Sequence, residues 1–115
     1  MLEKPTFLQG VYRVQGGGFD SPAALQPAIN YRVPFDKRAQ LVYFRGGNSC
    51  ASLVSVLLLK DGKPMRYFPI GAQQAIHVPL AVVEDLHPDT VLEVLIAAPQ
   101  KTSGTLILDI GLVEF

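Results

Sequence analysis

Residues 53–80, LVSVLLLKDGKPMRYFPIGAQQAIHVPL, decide the fold of this chain. They contain three strand-like runs, over residues 53–60, 65–70 and 73–80. Asp61-Gly62 separates the first two runs and supplies residues that accept the positive φ of a tight β-turn. Residues 53–59 are apolar on both alternation phases except at Ser55, a pattern typical of a strand that is covered on both sides. The stretch therefore predicts a β-hairpin that begins with a central strand.

The remainder of the chain repeats this character. Further strands are predicted over residues 7–14, 28–35, 40–45, 91–98 and 105–115, with glycine and proline in the connections and a longer loop over residues 19–27. Residues 81–86 (AVVEDL) are expected to form a single helical turn. About eight short strands at this spacing predict one all-β domain over residues 1–115, a two-sheet antiparallel β-sandwich that is jelly-roll-like or immunoglobulin-like. The predicted core is Ile29, Tyr31, Val33, Val54, Val56, Leu58, Ile76, Val78, Leu92, Val94, Ile96, Leu106, Leu108 and Ile110.

The amino-acid composition limits the kinds of partner and the compartment that we expect for the chain. Ten basic and ten acidic residues give a net charge of zero with no basic block, which argues against binding to nucleic acid and to anionic membranes. No apolar stretch has the length of a membrane span, and no signal-peptide pattern opens the chain. A single cysteine, Cys50, excludes an internal disulfide framework and fits a reducing compartment. We therefore predict a soluble, cytoplasmic protein.

Low charge predicts self-association. Charged residues make up only 17% of the chain, against about a quarter in a typical soluble domain. The runs 53–59 and 91–98 lack a polar phase apart from Ser55 and Glu93, so both of their faces need an apolar cover. A sandwich supplies one cover, and a second subunit is expected to supply the other. The sequence thus predicts a homo-oligomer joined through sheet faces or edges that contain the runs 53–59 and 91–98.

Aromatic–arginine pairs near strand ends are the candidate ligand-binding residues, because such residues are favoured in interfaces and in shallow polar sites. His77 joins them, since it lies on the phase opposite Ile76, Val78 and Leu80 and is expected to point away from the core. The predicted set is Tyr43, Arg45, Arg66, Tyr67 and His77.

Catalytic and metal-binding patterns are weak by comparison. Glu84, Asp85, His87 and Asp89 could together supply oxygen and imidazole ligands, but their spacing is neither that of an EF-hand nor that of a zinc site. Cys50 follows a glycine-rich turn with no adjacent base in the sequence. No metal and no cofactor is predicted.

Three functions are consistent with these features. The preferred one is a non-enzymatic, self-associating binding module, an adaptor or a small-ligand binder. The alternative is a small hydrolase or self-processing enzyme that uses Cys50, or His87 with Asp89 or Asp109. The second alternative is a carbohydrate-binding module, which would need an exposed tyrosine platform because the chain has no tryptophan.

Overall fold

Two antiparallel sheets pack face to face in the computed structural model, which describes residues 3–115 except for the side chains of residues 81–83. The described residues form nine strands and no helix. The strands are β1 (Lys4–Gln15), β2 (Ala23–Ala24), β3 (Asn30–Arg32), β4 (Ala39–Asn48), β5 (Val54–Lys60), β6 (Lys63–Ile70), β7 (Ala75–Leu86), β8 (Val91–Ala97) and β9 (Ser103–Glu114). Nothing in this part of the chain forms a helix of the length and apolar character that crossing a membrane requires.

The order of the strands is that of a jelly roll. Sheet A has the order β1-β9-β4-β7, and sheet B has the order β2-β8-β5-β6 with β3 also paired to β8. Because β2 and β3 occupy the same position beside β8, the nine strands fill eight positions. Successive positions alternate between the sheets except at the β5–β6 hairpin, and this alternation gives the double Greek key of a jelly roll. The predicted sandwich is confirmed, and its jelly-roll form follows from the pairing.

The turn between β5 and β6 has the predicted chemistry. Asp61 has a φ of 50° and Gly62 a φ of 79°, the conformations that a two-residue hairpin connection requires. Asp61 also accepts a hydrogen bond through Oδ1 from the backbone N–H of Val91, at 2.9 Å. The turn therefore closes the hairpin and ties it to the start of β8.

The core between the sheets contains the predicted residues. Eleven of the fourteen are buried, and Tyr31, Ile76 and Val78 are partly buried and pack against the core. One central contact of that core was not predicted from the sequence. The rings of Phe44 (sheet A) and Phe68 (sheet B) stack with their centroids 4.1 Å apart.

Polar contacts also join the two layers. The Tyr31 hydroxyl in β3 donates a 2.5 Å hydrogen bond to Glu114 Oε2 in β9. Burial and the neighbouring carboxylate of Glu114 raise the pKa of the Tyr31 phenol, which keeps it a donor. Glu114 is 6% exposed, so this bond satisfies a buried carboxylate that would otherwise oppose folding.

Three local predictions were wrong. Residues 81–86 belong to β7 and not to a helical turn. The strand predicted over residues 28–35 is only Asn30–Arg32, and Phe35, beyond its end, is 79% exposed. Gly46 and Gly47, which fall in the predicted connection after the strand over residues 40–45, lie inside β4, which continues to Asn48. Residues 46 and 47 stay extended because they pair with both β7 and β9. This pairing with distant strands cannot be read from the local sequence.

The Asn48 side chain satisfies backbone polar groups where β4 ends in the core. Its Nδ2 donates to the carbonyls of Ser52 at 3.0 Å, Ile70 at 3.2 Å and Gly71 at 3.2 Å. Its Oδ1 accepts from the Cys50 N–H at 2.8 Å. The side chain is 4% exposed, so one buried amide satisfies backbone groups from two separate segments.

The outer face of sheet B is partly covered by the chain itself. Leu57 in β5 is only 6% exposed and Ala97 in β8 only 7%, although both point away from the core between the sheets. The ladder partners of Leu57 are Tyr67 and Leu95, whose side chains flank it on the same face. Leu57 and Ala97 are therefore buried by the chain itself, and the second subunit that was predicted to cover the runs 53–59 and 91–98 is not needed at these two positions.

Candidate functional site

Twelve residues of sheet A form a regular grid on the face that points away from the core. The antiparallel register places them in three rows that each cross β1, β9, β4 and β7 in that order. We call this surface the outer face of sheet A. Its rows are Val11–Ile107–Gly47–Ala75, Gln9–Asp109–Arg45–His77 and Phe7–Gly111–Tyr43–Pro79.

Large apolar side chains are exposed on this face. Phe7 is 53% exposed, Val11 64% and Ile107 55%. Each lies on the polar phase of its strand, among residues such as Gln9 and Asp109. Exposed apolar residues are ordinary when they are scattered singly, so three of them on one face of one sheet are an unusual concentration.

A charged and aromatic cluster lies in the middle of the face. Arg45 Nη1 lies 3.9 Å from Asp109 Oδ2, and the Tyr43 hydroxyl donates to Asp109 Oδ1 at 3.0 Å. The Arg45 guanidinium carbon lies 5.1 Å from the centre of the Tyr43 ring, and His77 meets the same ring edge-on at 6.0 Å. Burial and the hydrogen bond to Asp109 raise the pKa of the Tyr43 phenol, so it remains a donor to Asp109.

Arg45 retains free binding capacity. Its side chain is 56% exposed, and its contact with Asp109 is long for an ion pair. An exposed pair of this length contributes little to folding, because water screens it. The guanidinium has five N–H donors, and among the described residues it makes one ion pair, so most of its donors are not used within the described part of the chain.

Gly111 determines how Tyr43 lies. A Cβ at position 111 would be 2.0 Å from Tyr43 Cε2, so only glycine lets the ring lie flat across β9. The Tyr43 ring thereby covers Gly111, which is buried. The Tyr43 hydroxyl reaches Asp109, which lies in the neighbouring row of the grid. The local sequence does not reveal this pairing, because residues 43 and 111 meet only through the β4–β9 ladder.

Gly47 leaves a depression in the same face. A Cβ added there would meet nothing within 4 Å. The depression over it has a volume of about 320 Å³ and is lined by Arg45, Ala75, Ile107 and Asp109 together with Gly46, Gly47 and Ile76. It continues toward Ser49 and Thr105 as a second shallow hollow of about 320 Å³. The middle of the face therefore has a shallow, open depression beside Ile107.

The structure brings together three of the five predicted ligand-binding residues. Tyr43, Arg45 and His77 are neighbours on the outer face of sheet A, and His77 is exposed as predicted. Arg66 belongs to sheet B, where it pairs with Glu84 of β7 at 3.4 Å and lies 5.8 Å from the Phe68 ring centre. Tyr67 points outward from sheet B and is 63% exposed. The predicted set is thus split between different surfaces.

Cys50 lies in a setting that disfavours nucleophilic chemistry. The side chain is 1% exposed and beside Gly104, where an added Cβ would be 2.7 Å from its Sγ. Burial raises the pKa of the Cys50 thiol, so the protonated form is favoured. Since the thiolate is the nucleophile, this environment opposes the role that the alternative hypothesis gives to Cys50.

The acidic residues considered for the hydrolase and for the metal site lie in different surroundings. Asp109 belongs to the cluster with Tyr43 and Arg45, whereas Asp89 lies in the β7–β8 turn with a φ of 65°. Asp85 accepts a hydrogen bond from Gln40 at 2.8 Å, and Glu84 pairs with Arg66. Within residues 3–115 as described, no three His, Cys, Asp or Glu side chains are grouped as metal ligands would be.

Tyrosines do not form a continuous platform. Tyr12 is 5% exposed and Tyr31 is bonded to Glu114 between the sheets. Tyr43 lies against Gly111 on sheet A, and Tyr67 is on sheet B. A carbohydrate-binding module would need several exposed tyrosines side by side, and of the four tyrosines only Tyr67 is largely exposed.

A separate cleft lies between the β1 and β2 edges of the two sheets. Its volume is about 350 Å³, and it is lined by Arg13, Gln15, Ala23, Ala24, Gln26 and Ile96. It has one cationic side chain and two carboxamides, and none of its lining residues belongs to the outer-face grid.

Sequence reasoning missed Phe7, Val11, Gly47 and Ile107 as members of a surface. One signal was available, since apolar residues on the polar phases of β1 and β9 are unusual for strands that face water on one side. The adjacency of those two strands was not available, because 95 or more residues separate their ladder partners at this face.

A comparison of the chain with protein-family models and with curated proteins found no match. The fold and the surface together define a small jelly-roll sandwich with one apolar, charge-centred outer face.

Proposed function

We propose that this chain is a non-enzymatic interaction module that self-associates through the outer face of sheet A. The observation that carries the proposal is the exposure of Phe7, Val11 and Ile107 on one side of one sheet. Burying a wholly exposed side chain of this kind stabilises by about 1.5–3 kcal/mol, and since these three are 53–64% exposed, each can still gain roughly half of that. A partner that covers the face recovers part of this free energy.

Three of the four sheet edges carry proline in their edge strand, and the fourth, formed by β2 and β3, does not. Both edge strands of sheet A contain proline, Pro5 in β1 and Pro79 in β7, and edge strand β6 of sheet B contains Pro64 and Pro69. The interior strands β4, β5, β8 and β9 contain none. Proline removes the N–H that an incoming strand would need, and natural sheets use it to block edge-to-edge pairing. This distribution favours face-to-face contact over strand addition.

The size of the face is adequate for a specific complex. The whole sheet, with four strands about 4.8 Å apart and about ten residues long, spans roughly 650 Å² before the relief of the side chains is counted, and the twelve-residue grid takes up about half of that area. A standard specific interface buries about 800 Å² on each partner. The cytoplasm is the compartment that accompanies this proposal, because a chain with a single cysteine makes no internal disulfide that an oxidising compartment would maintain.

The test is the mass of the protein in solution, measured by light scattering coupled to size-exclusion chromatography. We expect the parent chain to have a mass of a multiple of 12.5 kDa and Ile107→Lys to have the mass of the monomer. Ile107 is 55% exposed, so the substitution leaves the core unchanged.

Phe35→Lys is the matched control. Phe35 is a more exposed apolar residue, at 79%, and lies outside the strands of the grid, so we expect its replacement to keep the parent mass. A parent chain that remains at 12.5 kDa on concentration to the millimolar range would refute self-association.

A further inference from the structure

We infer that the outer face of sheet A binds a second copy of itself about a two-fold axis that runs parallel to the strands, between β9 and β4. The inference rests on the proposed function and adds to it the orientation of the partner and the residues that meet. It follows from the grid, which is complementary to its own rotated copy in that orientation.

A two-fold axis in the plane of the interface turns the partner's face over. If the axis runs along the strands between β9 and β4, each row is laid on its own copy with the strand order reversed. Each β9 residue then lies opposite the partner's β4 residue of the same row, and each β1 residue lies opposite β7. Such an interface is isologous, so every contact occurs twice.

The central row becomes electrostatically complementary in this orientation. Asp109 of each copy meets Arg45 of the other, because the two residues are ladder neighbours on either side of the axis. Each Arg45 is exposed and makes only a 3.9 Å contact with the Asp109 of its own chain. The guanidinium can therefore bridge both carboxylates when water is excluded. Gln9 meets His77 at the ends of the row, so polar groups are matched across it.

The row of Ile107 becomes complementary in shape. Ile107 of each copy lies opposite Gly47 of the other, so a protruding apolar side chain faces the depression of about 320 Å³. Val11 lies opposite Ala75 at the ends of that row. In the third row, Phe7 lies opposite Pro79, and Gly111 lies opposite Tyr43.

The other in-plane orientation is unfavourable. An axis that runs across the strands lays each strand on its own copy. If that axis follows the central row, Arg45 meets Arg45 and Asp109 meets Asp109, which places like charges in contact. If it lies between the central row and a neighbouring row of the grid, the charged row meets an apolar row and loses its solvent without gaining partners. Aligned sheets that pack face to face keep their strands within about 30° of each other, and an axis along the strands and an axis across them both meet this condition, so the match of charges decides between them.

Charge reversal tests the arrangement. In a dimer of Arg45→Asp, the contact between position 45 of one copy and position 109 of the other places two aspartates together. In a dimer of Asp109→Arg, the same contact places two arginines together. We expect each variant alone to dimerise about a hundredfold more weakly than the parent, since like charges at an interface are strongly repulsive. An equimolar mixture restores opposite charges at both contacts, and we expect it to form heterodimers at the parent concentration.

Controls separate this inference from the proposed function. Lys63→Asp and Glu93→Arg reverse charges on sheet B, and we expect neither variant to change the mass, alone or mixed. If the parent dimerises and Ile107→Lys abolishes the dimer, but the mixture of Arg45→Asp with Asp109→Arg stays monomeric, the two-fold arrangement is overturned and the proposed function stands. If the parent is a monomer, both are overturned.

A cysteine pair gives a second measurement that does not depend on the charged residues. Gly47→Cys in one chain and Ile107→Cys in another lie opposite each other in the predicted dimer. We expect mild oxidation of the mixture to give a covalent heterodimer faster than a mixture of Gly47→Cys with Phe35→Cys. Equal rates for the two mixtures would contradict the predicted pairing.

Discussion

Gly46 and Gly47 are adjacent in the sequence and face opposite sides of sheet A, so the same substitution has opposite consequences at the two positions. A Cβ at Gly46 would lie 2.5 Å from Ile70 Cδ1, 3.2 Å from Phe44 Cε1 and 3.4 Å from Leu108 Cδ2. All three neighbours are fully buried, so they can move only by displacing the core. A Cβ at Gly47 would meet nothing within 4 Å.

The magnitudes follow from these distances. Overpacking a core by one methyl group costs about 1–3 kcal/mol, whereas replacing glycine by alanine in a compatible conformation stabilises by about 0.4–1 kcal/mol. We therefore expect Gly46→Ala to lower the free energy of unfolding by about 1–2 kcal/mol and Gly47→Ala to raise it slightly. The difference between the two variants is about 2 kcal/mol, or about 1 M in the urea midpoint at a typical m-value.

Urea unfolding followed by circular dichroism measures this difference. Both substitutions are placed in the Ile107→Lys background, because loss of self-association would otherwise change the apparent stability of Gly47→Ala. Equal destabilisation by the two substitutions would refute the assignment of Gly46 to the core and Gly47 to the outer face. In the unaltered background, we expect Gly47→Ala to weaken the dimer, since its methyl group occupies the depression opposite Ile107.

Two further predictions concern the end of β4. Asn48→Ala removes the partner of three carbonyls and leaves the buried Cys50 N–H without an acceptor, so we expect a loss of about 2–4 kcal/mol in urea unfolding; a loss below about 1 kcal/mol would show that water replaces the amide. Burial and a raised pKa make the Cys50 thiol unreactive, so we expect a thiol reagent at neutral pH to label the native chain far more slowly than the chain in urea; equal rates would show that Cys50 is accessible as a nucleophile.

The local pattern determined the strands and their buried faces. Alternation at Leu106, Leu108 and Ile110 identified the inward side of β9, because the period of two is a property of the extended backbone itself. Asp61-Gly62 identified the β5–β6 hairpin because its tight turn requires positive φ, whatever surrounds it in the fold. The all-β class and most of the core were accordingly predictable without a structure.

The tertiary structure decided which strands are neighbours, and the candidate site depends on that choice. Tyr43, Arg45 and His77 were predicted as ligand-binding residues, but Asp109, Gly111 and Ile107 join them only because β9 pairs with β4. The same pairing turned a glycine pair that resembles a turn into the floor of a depression on one face and a packing site on the other. Pairing between distant strands is governed by how the whole chain closes its two layers, and no short segment contains that information. The sequence by itself therefore determined the elements and their inner faces, whereas the order of the strands determined the composition of the outer surface.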